Sequence, residues 1–572
     1  MPYELTNTSS SMSDLMEKLI REKDIARKFQ ERKHADWNET YELSRGKVRT
    51  NRLTQRQAVN IPLMKETEKT ILSRIDESPT IDWKELSGDE MKELILQSMW
   101  DDFVKEKNLD AIDMQDKKTA IRYGRPTKKL IPGKFYPDVY ALDIFDVIYD
   151  PLMNPIDIES ARFVIQQNIF RTLREILADK RYKAEAKSKL KKWLATKEGI
   201  VQSAANKEEL ERKQERLEAM GVTSDEFPLF AGGDVIVNLT EHYTNVWDTK
   251  IEKFERRVIT YCDDSIELLN ESLLDLIGIE EYPFVTWSED NETNDLWNDS
   301  IDDLIRVPNK LINVWFSQLA ENRTLKNFQM HWYDATQQGY VPQVYEPGPG
   351  RMLPAPGDPN KTILPVQISG LDDTLEAINF LTAVVERGTG ATAIEKGVGE
   401  QANQTLGEVQ ILTGKAMERS VSMAKFYRRS WYDFAVKWYK LMEANAKGTK
   451  KLYKTGRDGK VYEKKVYRGD WVSAAGYTSN INSSSEQEQE GIKGIQKFQF
   501  LLSMFPTNLA LRKIAQKRSL EIVDLSPAEL KEVEDAEDQA QQMAQAQPMQ
   551  TPGQSMQPTP QPMQLPQLAP VQ

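Results

Sequence analysis

The sequence predicts an α+β fold, and three observations carry that reading. Three amphipathic helical stretches lie between residues 301 and 442, split by two very different breakers: a Pro/Gly-rich excursion at 341–365 and a short Gly/Thr/Ala loop at 388–405. Upstream, residues 235–243 and 254–261 alternate apolar and polar side chains with the period of two that marks strands. The chain is also long and heavily charged, with 572 residues of which 39% are hydrophobic and 29% charged. That supports several cores under much exposed surface, as in an extended or multi-part protein.

The elements follow in order. Residues 12–38 place Leu15, Leu19 and Ile25 near helical spacing, and residues 91–107 set Leu94, Ile95, Met99, Trp100 and Phe103 on one stripe, so both read as packing helices. From Gly133 the period changes. Phe135, Val139, Ala141, Ile144, Val147 and Ile148 sit among Pro137, Asp143 and Asp146 and end at Tyr149-Asp150-Pro151, a strand-and-turn pattern. Arg162-Phe163-Val164-Ile165 continues as a strand. Thr172 then stands as an N-cap with Glu175 at the capping-box position, opening a helix. Residues 182–220 form a charged helical insert, followed by the Gly232-Gly233 break. The two alternating runs make an antiparallel hairpin, with a β layer running on to Phe284-Val285-Thr286-Trp287. A second hairpin is expected around Asp458-Gly459, flanked by Tyr453 and Val461-Tyr462.

The first helix of the 301–442 region begins near Asp302 or Asp303, either one a plausible N-cap, and carries Leu304, Leu311, Ile312, Trp315 and Leu319 on one face. Pro308 either kinks it or marks its true first turn. The second helix, 371–386, stripes Leu371, Leu375, Ile378, Leu381 and Val385. In the third, Val409, Leu412, Ala416, Ser420, Met423, Tyr427, Trp431, Phe434, Trp438 and Leu441 recur at steps of three and four. A helix of ~35 residues spans about 50 Å, long for a compact enzyme and natural for a spoke in an assembly. Its aromatics read as buried packing rather than as a cofactor site.

Several chemistries find no support. Gly388-Thr389-Gly390-Ala391-Thr392-Ala393 resembles a phosphate turn but follows a helix instead of a strand, so no dinucleotide site is expected. No Gly-x-x-x-x-Gly-Lys-[Ser/Thr] occurs, and Gly414-Lys415-Ala416 lacks its partners. His34, His242 and His331 are scattered, which disfavours His-based acid/base or zinc chemistry. Asp143, Asp146, Asp150 and Asp157 sit in turns around Pro151 and Pro155, where Asp serves local hydrogen bonds. No catalytic residue, metal ligand or cofactor is expected, and the chain reads as a non-enzyme. Cys262, the single cysteine, rules out an intrachain disulfide framework and suits a reducing cytosol.

Residues 1–14 lack a signal-peptide pattern and no apolar run approaches the ~20 residues of a membrane helix, so a soluble, non-exported chain without a membrane partner is expected. The net charge is −12, from 76 Lys+Arg against 88 Asp+Glu, which argues against a protein built to grip phosphates over a basic surface. The excursion at 341–365 holds Pro342, Pro347, Pro349, Pro354, Pro356, Pro359 and Pro365, too dense for a helix. With Tyr340-Val341 and Thr362-Ile363-Leu364 as short flanking strands it reads as an exposed docking module. Residues 483–523 look helical, with Ile492, Ile495, Phe498, Leu501 and Leu502 on one face. Beyond Ala536 the Gln/Pro/Met/Ala composition is too poor in large apolar residues to fold, so a mobile tail is expected.

The order of elements resembles that of portal proteins, the head-to-tail connectors of tailed double-stranded DNA bacteriophages, of the podovirus-like kind. Three segments carry the resemblance. Phe145-Asp146-Val147-Ile148-Tyr149-Asp150-Pro151, then Ser160-Ala161-Arg162-Phe163-Val164-Ile165 and the Thr172 helix start, resembles the family's strand ending in Asp-Pro, spacer and second strand. Residues 301–322 look like the first stem helix, including Asn313, although Pro308 departs from the pattern. Residues 388–400 and the helix over 406–444 look like the tunnel loop and the helix that crosses the wing.

The resemblance implies a portal-type fold assembled as a closed ring of about twelve copies at one capsid vertex, built in the host cytoplasm, with DNA threading the axis. Its parts would be a wing (1–300 and 405–480), stem helices (301–336 and 371–387), a clip (337–370), a tunnel loop (388–404), a helical crown (481–535) and a Gln/Pro-rich tail (536–572). Implied partners are other copies of the chain, passing double-stranded DNA, the terminase large subunit, tail adaptor proteins, and major capsid and scaffolding proteins. Acidic repulsion with a few basic rings would let a duplex pass without sticking. Candidate channel residues are Arg306, Lys310, Arg323 and Lys326 on the first stem helix, with Gly388, Gly390, Lys396, Gly397 and Gly399 in the tunnel loop. Candidate clip docking residues are Tyr340, Val341, Tyr345, Met352 and Leu353. Two alternatives stay open: another structural virion protein of tail or capsid, and a metal-dependent DNA enzyme.

Overall fold

The computed structural model describes residues 12–46, 59–75, 80–196, 235–248, 252–262, 266–289, 291–293, 295–327, 331–333, 363–365, 373–389, 406–455 and 461–482. The chain divides into two units, Met1–Leu452 with Glu463–Ser484, and Tyr453–Tyr462 with Ser485–Gln572. Nearly all described residues belong to the first. The expected helix at 483–523, the tail, and most of the insert at 182–220 lie outside the described residues.

Four helices build the N-terminal part: α1 (Met12–Ser44), α2 (Leu63–Ile75), α3 (Glu90–Glu106) and α4 (Leu109–Tyr123). Helix α1 buries Leu19 and Ala26, whereas Ile25 is exposed. At about 100° per residue, positions seven apart share a face and Ile25 lies about 120° away from Leu19. In α3 the side chain of Asp89 caps the amides of Met91 and Lys92, and Ile95, Leu96, Met99, Trp100 and Phe103 are buried. Leu94, placed on that stripe by spacing alone, is exposed, and Leu96 fills the core instead.

Strand β1 (Thr80–Glu85) pairs antiparallel with β14 (Tyr477–Asn482), which ties the last strand of the first unit to its N-terminal part. Strands β2 (Thr127–Ile131), β3 (Asp138–Leu142) and β9 (Phe284–Thr286) form a three-stranded sheet in the order β3-β2-β9. A second sheet runs β4 (Val147–Tyr149), β5 (Phe163–Thr172), β6 (Ile236–Asp248), β7 (Lys253–Cys262), β8 (Ile266–Ser272), every neighbour antiparallel. The expected hairpin is its β6–β7 pair. The segment at Phe284 joins the other sheet, because its partner is β2, a strand that begins before the change of period at Gly133.

The turns on either side of β4 are built as their aspartates predict. Asp143 caps a 3-10 turn through the amide of Phe145, Asp157 does the same for Glu159, and Asp150 accepts from the amides of Leu152 and Arg162. Thr172 and Glu175 close a reciprocal capping box at the start of α5 (Leu173–Ala178). Helices α6 (Ala184–Leu194) and α7 (Leu273–Ile277) follow.

Helix α8 (Ile301–Asn327) corrects the sequence reading in two respects. Its cap is Ser300, not Asp302 or Asp303: the amide of Asp303 donates to Ser300 Oγ at 3.1 Å, and the Ser300 amide donates to Asp303 Oδ2 at 2.8 Å. Pro308 therefore lies within the helix rather than in its first turn. The expected apolar face is also divided. Ile305 and Ile312 are buried, but Leu304 and Leu311 are exposed, and the buried side instead includes Asp302, Asn309, Asn313 and Ser317. A polar inner face is tolerable where its groups find partners. The extended segment beside it supplies several: the Ile61 amide donates to Asn313 Oδ1 at 2.8 Å, the Val59 amide to Ser317 Oγ at 3.0 Å, and Asn313 Nδ2 to Asn60 Oδ1 at 3.2 Å.

Strands β10 (His331–Tyr333) and β11 (Ile363–Pro365) pair antiparallel at the base of the Pro/Gly excursion. The second of the expected flanking strands is thus present, and its partner precedes Tyr340. Helix α9 (Thr374–Thr389) buries Ile378 and Val385 and leaves Leu375 exposed. Leu371 lies outside the described residues.

Helix α10 (Leu406–Asn445) runs for 40 residues, or about 60 Å at 1.5 Å per residue. Met423, Tyr427, Trp431, Phe434, Trp438 and Leu441 are buried, as their spacing predicts. They pack into an aromatic core in which the Trp438 ring stands edge-on to Trp100, centroids 5.0 Å apart, and also meets Phe103 and Trp83. Strands β12 (Lys450–Thr455) and β13 (Val461–Val466) pair as the hairpin expected around Asp458-Gly459, and α11 (Arg468–Trp471) precedes β14.

Candidate functional site

The region that the sequence singles out is the helical set α8, α9 and α10, and the structure shows how the first unit holds it. The C-terminal half of α10 is fixed by aromatic packing and by buried ion pairs. Lys117 Nζ lies 2.8 Å from Asp113 Oδ2, and Lys128 Nζ lies 2.9 Å from Asp116 Oδ2, all four side chains at most 3% exposed. The Tyr427 hydroxyl donates to Asp113 Oδ2 at 2.6 Å, and the Trp287 indole N–H donates to Asp116 Oδ2 at 2.8 Å. Each ammonium also sits over an aromatic ring of α10, Lys117 above Tyr427 and Lys128 above Trp431, both 4.8 Å from the centroid. Burial pushes the Asp116 carboxyl above the usual range against the pull of Lys128. Farther along, Lys437 Nζ donates to Glu159 Oε1 and to the carbonyls of Tyr282 and Phe284 at 2.6–2.7 Å.

The base of α8 is a second polar junction. Arg122 grips Glu68 through two parallel bonds of 2.7 and 2.8 Å, tying α4 to α2. Ser300 Oγ donates to the Arg122 carbonyl at 2.9 Å. Asp302 is fully buried beside this pair, and burial together with the neighbouring Glu68 charge raises its carboxyl well above the usual range. A cavity of about 80 Å³ lies where α2, α8, the end of α9 and α10 meet, lined by Ile71, Glu289, Ile301, Leu304, Gly388, Thr389 and Met423.

The candidate channel residues fall into three groups. Arg306 is largely buried and pairs with Asp303 at 2.7 Å and with Asp36 of α1 at 3.2 Å; Lys310 pairs with Glu39 at 2.6 Å. These two cations clamp α8 to α1. Arg323 and Lys326, nearer the far end of α8, are exposed. Gly388 closes α9 with open space where a Cβ would stand. Gly390, Lys396, Gly397 and Gly399 lie outside the described residues, as do Tyr340, Val341, Tyr345, Met352 and Leu353.

The buried lysine–aspartate pairs were missed from sequence. The i, i+4 spacing of Asp113 and Lys117 was a signal for a pair, but not for its burial. Lys128 lies in a strand whose two faces are both covered, so no alternation marked it.

Among the described residues no group of three His, Cys, Asp or Glu side chains could hold a metal ion, and no helix is long and apolar enough to cross a membrane. A wide cleft of about 1030 Å³ between the start of α1 and the β6–β7 ribbon includes Lys18, Glu22, Glu159, Arg162, Arg256 and Glu281. Its charges are largely matched: Arg256 bonds Glu159, Arg162 bonds Asp150, and Lys440 bonds Glu281. His242, buried nearby, has Nε2 3.2 Å from Glu22, and burial holds its pKa below the usual value.

No curated protein matches the chain. Among solved structures, a chain from the neck of an empty GTA particle computed with C6 symmetry is similar at a TM-score of 0.34 and 9% identity, over 66% of this chain and 78% of that one. The helical set with its anchored long helix, the antiparallel sheets and the Pro/Gly excursion stand in a chain whose residues 35–572 match the model of the phage SU10 portal protein family, and the chain belongs to that family.

Proposed function

We propose that copies of this chain form a closed ring at one capsid vertex, the channel through which double-stranded DNA is packaged and ejected and the docking site for terminase and tail adaptors. The observation that carries the reading is the family match across residues 35–572. In this assignment residues 1–300 and 405–480 make the wing, α8 and α9 the stem, 337–370 the clip, 388–404 the tunnel loop and 481–535 the crown. The net charge of −12 suits a channel that must release a duplex at every step, since tight phosphate contacts would hold it.

The candidate DNA contacts in this reading are Arg306, Lys310, Arg323 and Lys326 on α8 and Lys396 in the tunnel loop; Arg306, largely buried and paired with Asp36 and Asp303, is the one whose charge is most engaged within the subunit. The Pro/Gly module between β10 and β11 would meet the packaging motor during filling and adaptors afterwards.

End-on negative-stain imaging of the purified chain tests the central claim. The expected image is a perforated ring with a flared wing and a narrow stem. A lone particle at every concentration, or magnesium-dependent DNA cleavage by the pure chain, would overturn it. Deleting residues 344–360 should abolish adaptor attachment while rings still form.

A further inference from the structure

One face of the five-stranded sheet carries a histidine in the middle of an apolar row. Ile165 of β5 stands opposite His242 of β6, which stands opposite Ile259 of β7, and all three side chains are buried. Strand alternation sends the neighbours Glu241 and Tyr243 to the other face. Helix α1 lies over the row. On one side of His242 it sets Ala26 against Ile148, Phe163 and Ile165, and on the other it sets Leu19 against Ile259 and Tyr261. Both clusters are small and separate from the main core, which the same helix enters farther along through Trp37 and Leu43. The first half of α1 is thus held by little apolar surface, and segments with few buried contacts open before the rest of a fold.

Between the two clusters His242 Nε2 lies 3.2 Å from Glu22 Oε2. A carboxylate only accepts, so the neutral ring carries its proton on Nε2. Nδ1 is then an acceptor, buried without a hydrogen-bond partner among the described residues, and the ring lies beside those of Phe163 and Tyr261, centroids 5.6 and 6.4 Å away. A second proton would turn Nδ1 into a charged donor with nothing to receive it, a costlier state than an unpaired acceptor. The charges facing the ring are mixed. On α1, Glu22 attracts an imidazolium, whereas Lys18 and Lys23 repel it. Lys23 itself sits over the Tyr261 ring of β7 at 5.6 Å, and Arg162, just before β5, is held by Asp150.

We propose that His242 is an acid-sensitive latch: when its ring takes up a second proton, the first half of α1, from Leu15 to Ala26, lifts from the sheet while Trp37 and Leu43 keep the second half in place.

With this half of α1 raised, water solvates both ring nitrogens and His242 regains the ordinary value of about 6.5. With it docked, burial holds the value lower, outweighing the attraction of Glu22. The docked state is therefore fully favoured above about pH 6.5 and loses ground below it, by up to about tenfold per pH unit in the opening equilibrium, until the docked value is passed. Solvent already reaches the flank of this half through the cleft of about 1030 Å³ that Lys18 and Glu22 help to line. The latch lies within one subunit and does not depend on the ring reading.

Hydrogen exchange of the full chain, followed by mass spectrometry at about pH 7 and about pH 5 and corrected for the intrinsic rate, tests it. Protection within residues 15–26 should fall by about tenfold at the lower pH, while residues 34–44 keep theirs. His242→Gln retains an N–H for Glu22 and cannot titrate, so it should abolish the difference between the two pH values. Glu22→Gln removes the attraction for the imidazolium and should enlarge it. Equal protection of residues 15–26 at both pH values in the wild type would overturn the proposal, as would a difference that survives in His242→Gln. Should that variant fail to fold, wild type and Glu22→Gln still decide: protection lost equally over 15–26 and 34–44 would mean general acid unfolding and refute the latch.

Discussion

Replacing Lys128 with methionine tests how the long helix is held. The substitution keeps the packing volume against Trp431 and Phe434 but removes the ammonium that lies 2.9 Å from Asp116, both side chains at most 1% exposed. The carboxylate would keep the Trp287 indole N–H and nothing to balance its charge. Removing one member of a buried pair costs about 3–5 kcal/mol, because the other charge is left desolvated. Asp116 can escape that cost by taking up a proton, and burial already raises its pKa. Losing Lys128 raises it further. For an acid raised in the folded state, the penalty is absent below the unfolded value of about 4 and grows by up to ~1.4 kcal/mol per pH unit until the folded pKa is passed. The deficit should thus be small near pH 4 and several kcal/mol at neutral pH, and Asp116→Asn in the same chain should recover most of it. Urea unfolding followed by tryptophan fluorescence at several pH values reads this directly. A deficit below about 0.5 kcal/mol at neutral pH, or one that Asp116→Asn does not relieve, would refute the argument.

Three further outcomes are expected. Trp438→Ala removes the ring that meets Trp83, Trp100 and Phe103 and should lower stability by about 3–5 kcal/mol, seen as a lower urea midpoint. Asp302→Asn should raise the melting temperature at pH 8 and leave it unchanged near pH 4. The raised carboxyl of Asp302 weakens the fold only once the pH passes the unfolded value, and the amide carries no charge to bury. Thr172→Ala breaks the capping box of α5 and should cost about 1 kcal/mol, with faster amide exchange confined to residues 173–178.

Much was legible in the sequence where one side chain acts on its own neighbourhood. The Thr172–Glu175 box, the aspartate turns around Pro151 and the β6–β7 hairpin follow from backbone hydrogen bonding within a few residues. The inward stripe of α10 follows from the helical period, because large aromatics at that spacing have no other favourable place to go. The portal family was legible too, through the order of these elements, and the comparison with the family model agrees. Spacing did less well on α1, α3 and α8, where Ile25, Leu94, Leu304 and Leu311 lie outside the core. Periodicity says which residues share a face, but not which face meets protein.

That choice belonged to the tertiary structure. It turned the polar side of α8 inward because a strap at 59–61 and an arginine from α4 were there to meet it, and it left the apolar side uncovered. It sank Lys117 and Lys128 beneath aromatic rings more than 300 residues away in the chain. It also gave Arg306 and Lys310 carboxylate partners on α1. By itself the sequence determined the local elements and their order, since those depend on interactions a few residues apart. The facing of helices and the fate of charges depend on long-range neighbours, which exist only once the chain has folded.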